Sequence, residues 1–329
     1  MPVAVVVGGS AGLGRAVTRR LAGDGWDVGV IARGQDRLDA AVREVEARDR
    51  RATSVSVDVT DAASLDAAAT QIEHDLGPID LWVNGPIAAV HGEFLDVDPD
   101  DFRRVTDVTY HGLVNGTRAA LARMAPRDHG HVIQISSALA QRGMPLLSSY
   151  CAAKAAGRIF SESVAAELRH RRSRVRISQI DMPALDTPFY DWVENLMPRR
   201  SRPMPVAFEP EAGAAVVATV ARHPRARTWV GEPTVFAIVL NRVAGGAFDR
   251  LAAAFGYRVQ QSHVARSPQL PANLYETVPA DVATRGVFGR ESLAWSPQVW
   301  AVTHRRAASV MGLAAGAVAV GAVARRRRG

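Results

Sequence analysis

Tyr150 stands four residues before Lys154, and Ser137 stands thirteen before Tyr150. Lys154 is the only lysine among 40 Lys and Arg residues. With five tyrosines in 329 residues, a lone lysine falls four after one of them by chance about 1.5 % of the time. A phenol with a pKa near 10 is a poor acid or base at neutral pH, and an adjacent ammonium favours its ionised form. Positions i and i+4 of a helix share a face, which sets the amine beneath the Tyr150 ring. Lysine suits this task better than arginine, because its compact charge can donate to a ribose hydroxyl while tuning the phenol. Ser137 then stands ready to hydrogen-bond a substrate oxygen. Taken alone, the pair reads equally well as an ordinary amphipathic helix with a solvated lysine, so the surrounding chain has to decide.

The elements that must carry these residues alternate between strand and helix. Residues 3–7, VAVVV, form a β-branched apolar run of the kind buried on both faces of a parallel sheet. A glycine turn follows, with Gly8, Gly12 and Gly14 spaced GxxxGxG ahead of an amphipathic helix. Glycines there let the backbone approach a pyrophosphate, and a helix N-terminus offers free N–H groups to the anion. A purely structural turn is the plainer reading, but the position directly after a first strand favours a dinucleotide site. Further strands are expected at 28–33, at 53–57 with Asp58 and Val59 at its end, and at 79–85 ending in Asn84. Others are expected at 131–136, leading into Ser137, at 174–180 and at 228–231. Helices are expected at 35–48, 62–76, 99–125, from Tyr150 to about 170, and at 210–221, with a short one at 191–196. This order predicts an α/β fold with a doubly wound parallel sheet of about seven strands and ligands at the strands' carboxyl ends. An NAD site would place an acid at the end of the second strand, where Ala32 and Arg33 stand instead. Arg33 can fork onto a 2′-phosphate, although a solvated loop arginine is the plainer alternative.

Composition narrows the classes. The chain is 47 % hydrophobic, enough for one large α/β core with an appendage. Its single cysteine, Cys151, excludes an internal disulfide framework, fits a cytoplasmic setting, and reads as a small helix residue rather than a nucleophile. No metal-ligand spacing is present. The net charge is +7, but Arg305, Arg306 and Arg325 to Arg328 supply six of those charges with no acid after position 304. The body is therefore nearly neutral, which argues against nucleic-acid binding. The first residues lack a basic region before their apolar run, so no secretory signal is expected.

Jointly, GxxxGxG at Gly8 to Gly14, Asp58, Asn84, Ser137 and Tyr150-xxx-Lys154 resemble the short-chain dehydrogenase/reductase family over about residues 1–235. The resemblance implies an NADP(H)-dependent oxidoreductase that interconverts a carbonyl and a secondary alcohol, with NAD(H) remaining open. It implies Tyr150 as general acid or base, Lys154 as ribose ligand and depressor of the phenol pKa, and Ser137 as orienter of the substrate oxygen. The cofactor would then meet Gly8, Ser10, Gly12, Leu13, Gly14, Arg33, Asp58, Val59, Asn84, Tyr150, Lys154 and Thr187. Several positions depart from the family pattern. Val7 replaces a Thr before the first glycine, only Asn84 survives of an Asn-Asn-Ala-Gly motif, Thr109 stands where an Asn supports a proton relay, and Met182-Pro183 replaces Pro-Gly.

Beyond the sheet, 234–257 reads as an apolar helix. Covering the substrate cleft, mediating a homo-oligomer and touching lipid are open, with burial against the body as the working reading. This gives a cofactor-binding domain over 1–260, a Pro-containing linker over 261–303 and an apolar helix with basic flanks over 304–329. Residues 307–324 carry no charge, and an 18-residue helix spans about 27 Å, just short of a hydrocarbon core of about 30 Å. Membrane contact through 307–324 and a loose or docked helix are both open. Phe189, Tyr190, Trp192, Leu196 and Met197, in the loop over the site, suggest an apolar small-molecule substrate. The alternative to an enzyme is a non-catalytic NADP-binding or scaffold protein at a membrane.

Overall fold

The computed structural model describes residues 1–267, 272–279, 283–309 and 311. Seven strands form the central sheet: β1 Val3–Val7, β2 Asp27–Ala32, β3 Ala52–Ser56, β4 Ile79–Asn84, β5 His131–Ser137, β6 Arg176–Met182 and β7 Arg227–Trp229. All pair in parallel, in the order β7-β6-β5-β4-β1-β2-β3. The chain winds outward from β1 through β2 to β3, then crosses to β4 and winds the other way. That reversal opens a crevice at the carboxyl ends of β1 and β4.

The helices are α1 Gly12–Gly23, α2 Gln35–Glu46, α3 Ala62–Leu76, α4 Pro99–Thr106, α5 Gly112–Arg127, α6 Ser148–His170, α7 Phe189–Trp192, α8 Pro210–Arg222, α9 Glu232–Val259 and α10 Pro297–Thr303. Side chains of a strand alternate in direction. Ala4 and Val6 of β1 accordingly join Leu21 of α1, Leu38 of α2 and Val217 of α8 on one face. Val3, Val5 and Val7 join Ile72 of α3 and Met124 of α5 on the other. Burial on both sides is why β1 reads as unbroken Val and Ala, each branched aliphatic contributing about 1.5–3 kcal/mol.

Two helical expectations are corrected. The long helix over 99–125 divides into α4 and α5 around a π-turn, Asp107–His111. There the Thr109 hydroxyl accepts from Ala88 N at 2.9 Å and donates to Ala88 O at 3.1 Å. The short helix expected at 191–196 is α7, which starts after Pro188 and ends where Val193 turns extended. Glu194–Asn195 instead pairs with Val90–His91.

The segment after β7 also differs in its packing. Helix α9 bends at Ala244, whose φ is −147° and ψ 49°. Of its residues only Thr234, Ile238 and Gly256 are buried, while Phe236 and Val243 are 67 % and 77 % exposed. Where an extended linker was expected, Gln261–Ala265 pairs with Arg199–Ser201, Ser292–Leu293 pairs with Ala207–Phe208, and Val299 of α10 joins the core. No helix among the described residues is long and apolar enough to cross a membrane. Most of the expected membrane-contacting stretch 307–324 lies outside the described residues, as do Pro268 and Pro271.

Candidate active site

The glycine turn after β1 is built by its backbone. Gly8 and Gly12 adopt φ of +78° and +53°, which glycine tolerates without a Cβ penalty. A Cβ on Gly14 would fall 2.0 Å from the Gly8 carbonyl oxygen. Gly14→Ala is therefore expected to lower Tm and abolish nucleotide binding together. A thermal scan paired with a binding titration checks this; native values in both would show the turn to be looser than its contacts require. Helix α1 begins here with no acid in its first turn and no side-chain cap. By contrast, α3 and α4 are capped by Asp61 and Asp98. No side chain therefore takes the N–H groups of the α1 terminus, where an anion is favoured, although Gly12 N donates to Ala283 O at 3.0 Å.

Strand β5 and helix α6 bring the chemistry to the same crevice. Ser137 ends β5, and its Oγ accepts from Leu139 N at 3.1 Å. Tyr150 and Lys154 lie one turn apart in the first half of α6. A cavity of about 310 Å³ runs from the glycine turn to these three side chains. Gly8, Ser10, Gly12, Leu13, Gly14, Arg33, Asp58, Val59 and Thr187 line it as well. Thr187 sits against the turn, 3.2 Å from where a Gly12 Cβ would be. These glycine cradles, a helix terminus without a side-chain cap and an ammonium fit a dinucleotide.

The electrostatics of the pair differ from the sequence expectation. Burial pushes the Tyr150 phenol up to about 12, and hydrogen bonding from Ser137 pulls it only partly back. Burial also pushes Lys154 down to about 8. Its Nζ donates to Ile135 O at 2.9 Å and lies 5.8 Å from the centre of the Tyr150 ring. In the free protein, desolvation therefore outweighs the attraction between amine and phenol, which leaves Tyr150 a protonated acid and Lys154 mostly charged at neutral pH. The adjacent Cys151 is buried and raised to about 11, consistent with a packing role.

Some expected residues sit elsewhere or are already engaged. Asn84 is fully buried outside the cavity lining: its Oδ1 accepts from Trp82 Nε1 at 2.8 Å, and its Nδ2 faces Leu113 O and Thr117 Oγ1. It ties β4 to α5. Arg33 lines the cavity, yet its guanidinium donates to the carbonyls of Asn273, Leu274 and Tyr275 and to Asn273 Oδ1. Asp58 pairs with Arg104, which together with Thr60 holds the carboxyl below its usual range despite burial. Thr109 spends its hydroxyl on Ala88, so its proton is committed to the backbone. Of the apolar loop residues, Phe189, Tyr190 and Trp192 line the cavity, whereas Leu196 packs against Gly92.

Three lining residues carried no signal in the sequence. Arg37 stacks over Trp192 at 4.9 Å and donates to Val278 O. Asn273 comes from far along the chain. His91 is buried, its Nδ1 3.1 Å from Asn195 Oδ1, and burial lowers its pKa. No group of residues able to hold a metal occurs among the described residues.

Residues 2–195 match the family model described as short chain dehydrogenase. The chain is 28 % identical over 278 residues to the uncharacterized oxidoreductase YxnA of Bacillus subtilis, covering 83 % of this chain and 78 % of YxnA. It is 34 % identical over 169 residues to L-2,3-butanediol dehydrogenase of Corynebacterium glutamicum, covering 50 % of this chain and 66 % of that enzyme. Among solved structures, a metagenomic short-chain oxidoreductase in complex with NADP superposes with a TM-score of 0.59 at 26 % identity, over 70 % of this chain and 96 % of that one. A short chain dehydrogenase from Mycobacterium paratuberculosis bound to NAD gives 0.60 at 26 % identity, with the same coverage. The chain belongs to the short-chain dehydrogenase family, oxidoreductases that act on CH–OH groups with a nicotinamide nucleotide.

Proposed function

We propose that this chain interconverts a carbonyl and a secondary alcohol using NADP(H). The observation that carries the reading is the convergence of Ser137, Tyr150 and Lys154 on a cavity that also contains the glycine turn. Tyr150, protonated at neutral pH, donates its proton to the carbonyl oxygen in reduction and accepts one from the alcohol in oxidation. Ser137 orients that oxygen, and Lys154 holds the ribose hydroxyls with its charge. A nicotinamide bound in the cavity supplies or accepts the hydride.

Preference for the 2′-phosphorylated nucleotide is supported by Arg33 and Arg37 in the crevice wall. Asp58, which lines the same crevice, is already paired with Arg104. An apolar substrate is supported by Leu139, Leu147, Met182 and Phe189 in the cavity wall. The similarity to an enzyme named for L-2,3-butanediol makes vicinal diols and hydroxyketones the first compounds to try.

The test is steady-state kinetics on such a panel with NADPH and NADH in parallel. Turnover with at least a tenfold higher kcat/KM for NADPH is expected, as one lost charged contact to phosphate costs about this much. Equal use of both nucleotides would remove the phosphate assignment. The alternative, a non-catalytic nucleotide-binding protein, is favoured by the committed Thr109 hydroxyl; binding by calorimetry without consumption across the panel would select it.

A further inference from the structure

Within the segment 272–279 and 283–293, Asn273 and Leu274 line the cofactor crevice from outside the sheet domain, and Ala283 reaches the glycine turn. All four terminal N–H directions of Arg33 end on this segment, at Asn273 O (2.6 Å), Asn273 Oδ1 (3.0 Å), Tyr275 O (2.7 Å) and Leu274 O (3.3 Å). Arg104 Nε donates to Leu274 O at 3.1 Å, and Arg37 donates to Val278 O. The Ala283 carbonyl accepts from Gly12 N at 3.0 Å, the first amide of α1. The segment therefore takes donors that a nucleotide would otherwise meet.

Beyond Ala283 the segment is fastened to the body. Gly286 N donates to Asp186 O at 3.2 Å, and Phe288 N donates to Asp186 Oδ1 at 3.1 Å. Thr284 Oγ1 donates to Glu211 at 2.9 Å, and Arg285 pairs with Glu209 and Glu211. Ser292–Leu293 completes the attachment by pairing with Ala207–Phe208. One end is thus anchored through strand pairing and a buried carboxylate. The other is latched by arginines onto neutral carbonyls, which an anionic phosphate can replace as the better acceptor.

We propose that 272–279 and 283–293 form a roof over the nucleotide crevice that must lift for a nicotinamide nucleotide to enter or leave, with Arg33 and Arg37 as its latches. The inference rests on the nicotinamide reading above and adds a gate to that same site. A gate sets rates in both directions, so loosening it speeds association and dissociation alike and changes Kd less than either.

Two variants loosen the roof from its anchored end. In Gly286→Ala the new Cβ would fall 2.5 Å from Asp186 Oδ1 and 2.7 Å from Thr187 O. The double variant Thr284→Val with Arg285→Ala removes the contacts to Glu209 and Glu211; valine keeps the shape of the buried Thr284, and Arg285 is half exposed, so the fold is expected to survive. NADPH binding is followed by energy transfer from tryptophan, and release by chasing the complex with excess NADP+. Hydrogen exchange at residues 283–293 reports the roof directly. The expected result is faster exchange at Gly286 and Phe288, with NADPH association and release each about tenfold faster, the effect of losing one or two ordinary hydrogen bonds. Faster amide exchange with both nucleotide rates within twofold of wild type would overturn the roof. Failure of wild type and variants to bind either nucleotide would overturn the nicotinamide reading, and the roof with it.

Discussion

Tyr150→Phe is expected to lower turnover by about a thousandfold while nucleotide binding stays within a few-fold of wild type. The substitution deletes one hydroxyl and keeps the ring, so the wall of the cavity and the ring above Lys154 are preserved. What disappears is the proton that the carbonyl oxygen must receive, and positioned proton transfer is worth about 10²–10⁴ in rate. The size of the effect follows from the site. Burial holds the phenol near 12, so it remains protonated through the neutral range and is available as the acid. Stability should change little, because a buried phenol with one weak partner gives up its desolvation cost when it becomes Phe. Turnover of the variant within tenfold of wild type, on a substrate the wild type accepts, would remove Tyr150 from the chemistry.

The sheet was legible because its signals are local. VAVVV announces a strand covered on both faces, and the glycine spacing announces a turn that cannot tolerate Cβ atoms. Tyr150 and Lys154 announce a shared helical face. Side-chain direction was less legible. Asn84 sits at the end of β4 as expected, yet it points inward, where a Cβ on Gly116 would stand 2.2 Å from its Oδ1; nothing in the neighbouring residues fixes that direction. Arg33 lines the crevice, but its acceptors lie some 240 positions away. They are mainly backbone carbonyls, which every residue has and which no pattern of side chains reveals. The segment supplying them lacks any period, so it reads as a linker until its contacts are seen. The pKa balance of Tyr150 and Lys154 was misjudged for a related reason: spacing gives proximity, while burial depends on the whole fold.

Lys154→Met is expected to abolish turnover and yet raise Tm at pH 7. The side chain is 4 % exposed, and burial lowers its pKa from 10.5 to about 8. At about 1.4 kcal/mol per unit, holding the ammonium charged in the folded state costs about 3 kcal/mol. Methionine removes that cost and fills similar volume, while stranding the Ile135 carbonyl costs about 1 kcal/mol. The desolvation saving is the larger, and a net gain near 2 kcal/mol corresponds to a few degrees in a chain of this size. The pH dependence has a definite sign. Below pH 8 both folded and unfolded lysine are protonated, so the cost is present in full. Between 8 and 10.5 the folded amine loses its proton first, so wild type gains stability and the variant's advantage closes. Above 10 the raised phenol of Tyr150 acts oppositely in both proteins, since the unfolded tyrosine ionises first. Thermal scans of both proteins at pH 7 and near pH 10 decide the matter, and a Tm for Lys154→Met below wild type at pH 7 would refute the buried-charge account. Arginine at this position should lose activity and stability together. It cannot shed its proton, and its five donors would face a single carbonyl where one ammonium fits. That difference gives a physical reason for one lysine in a chain whose other 39 Lys and Arg positions are all arginine.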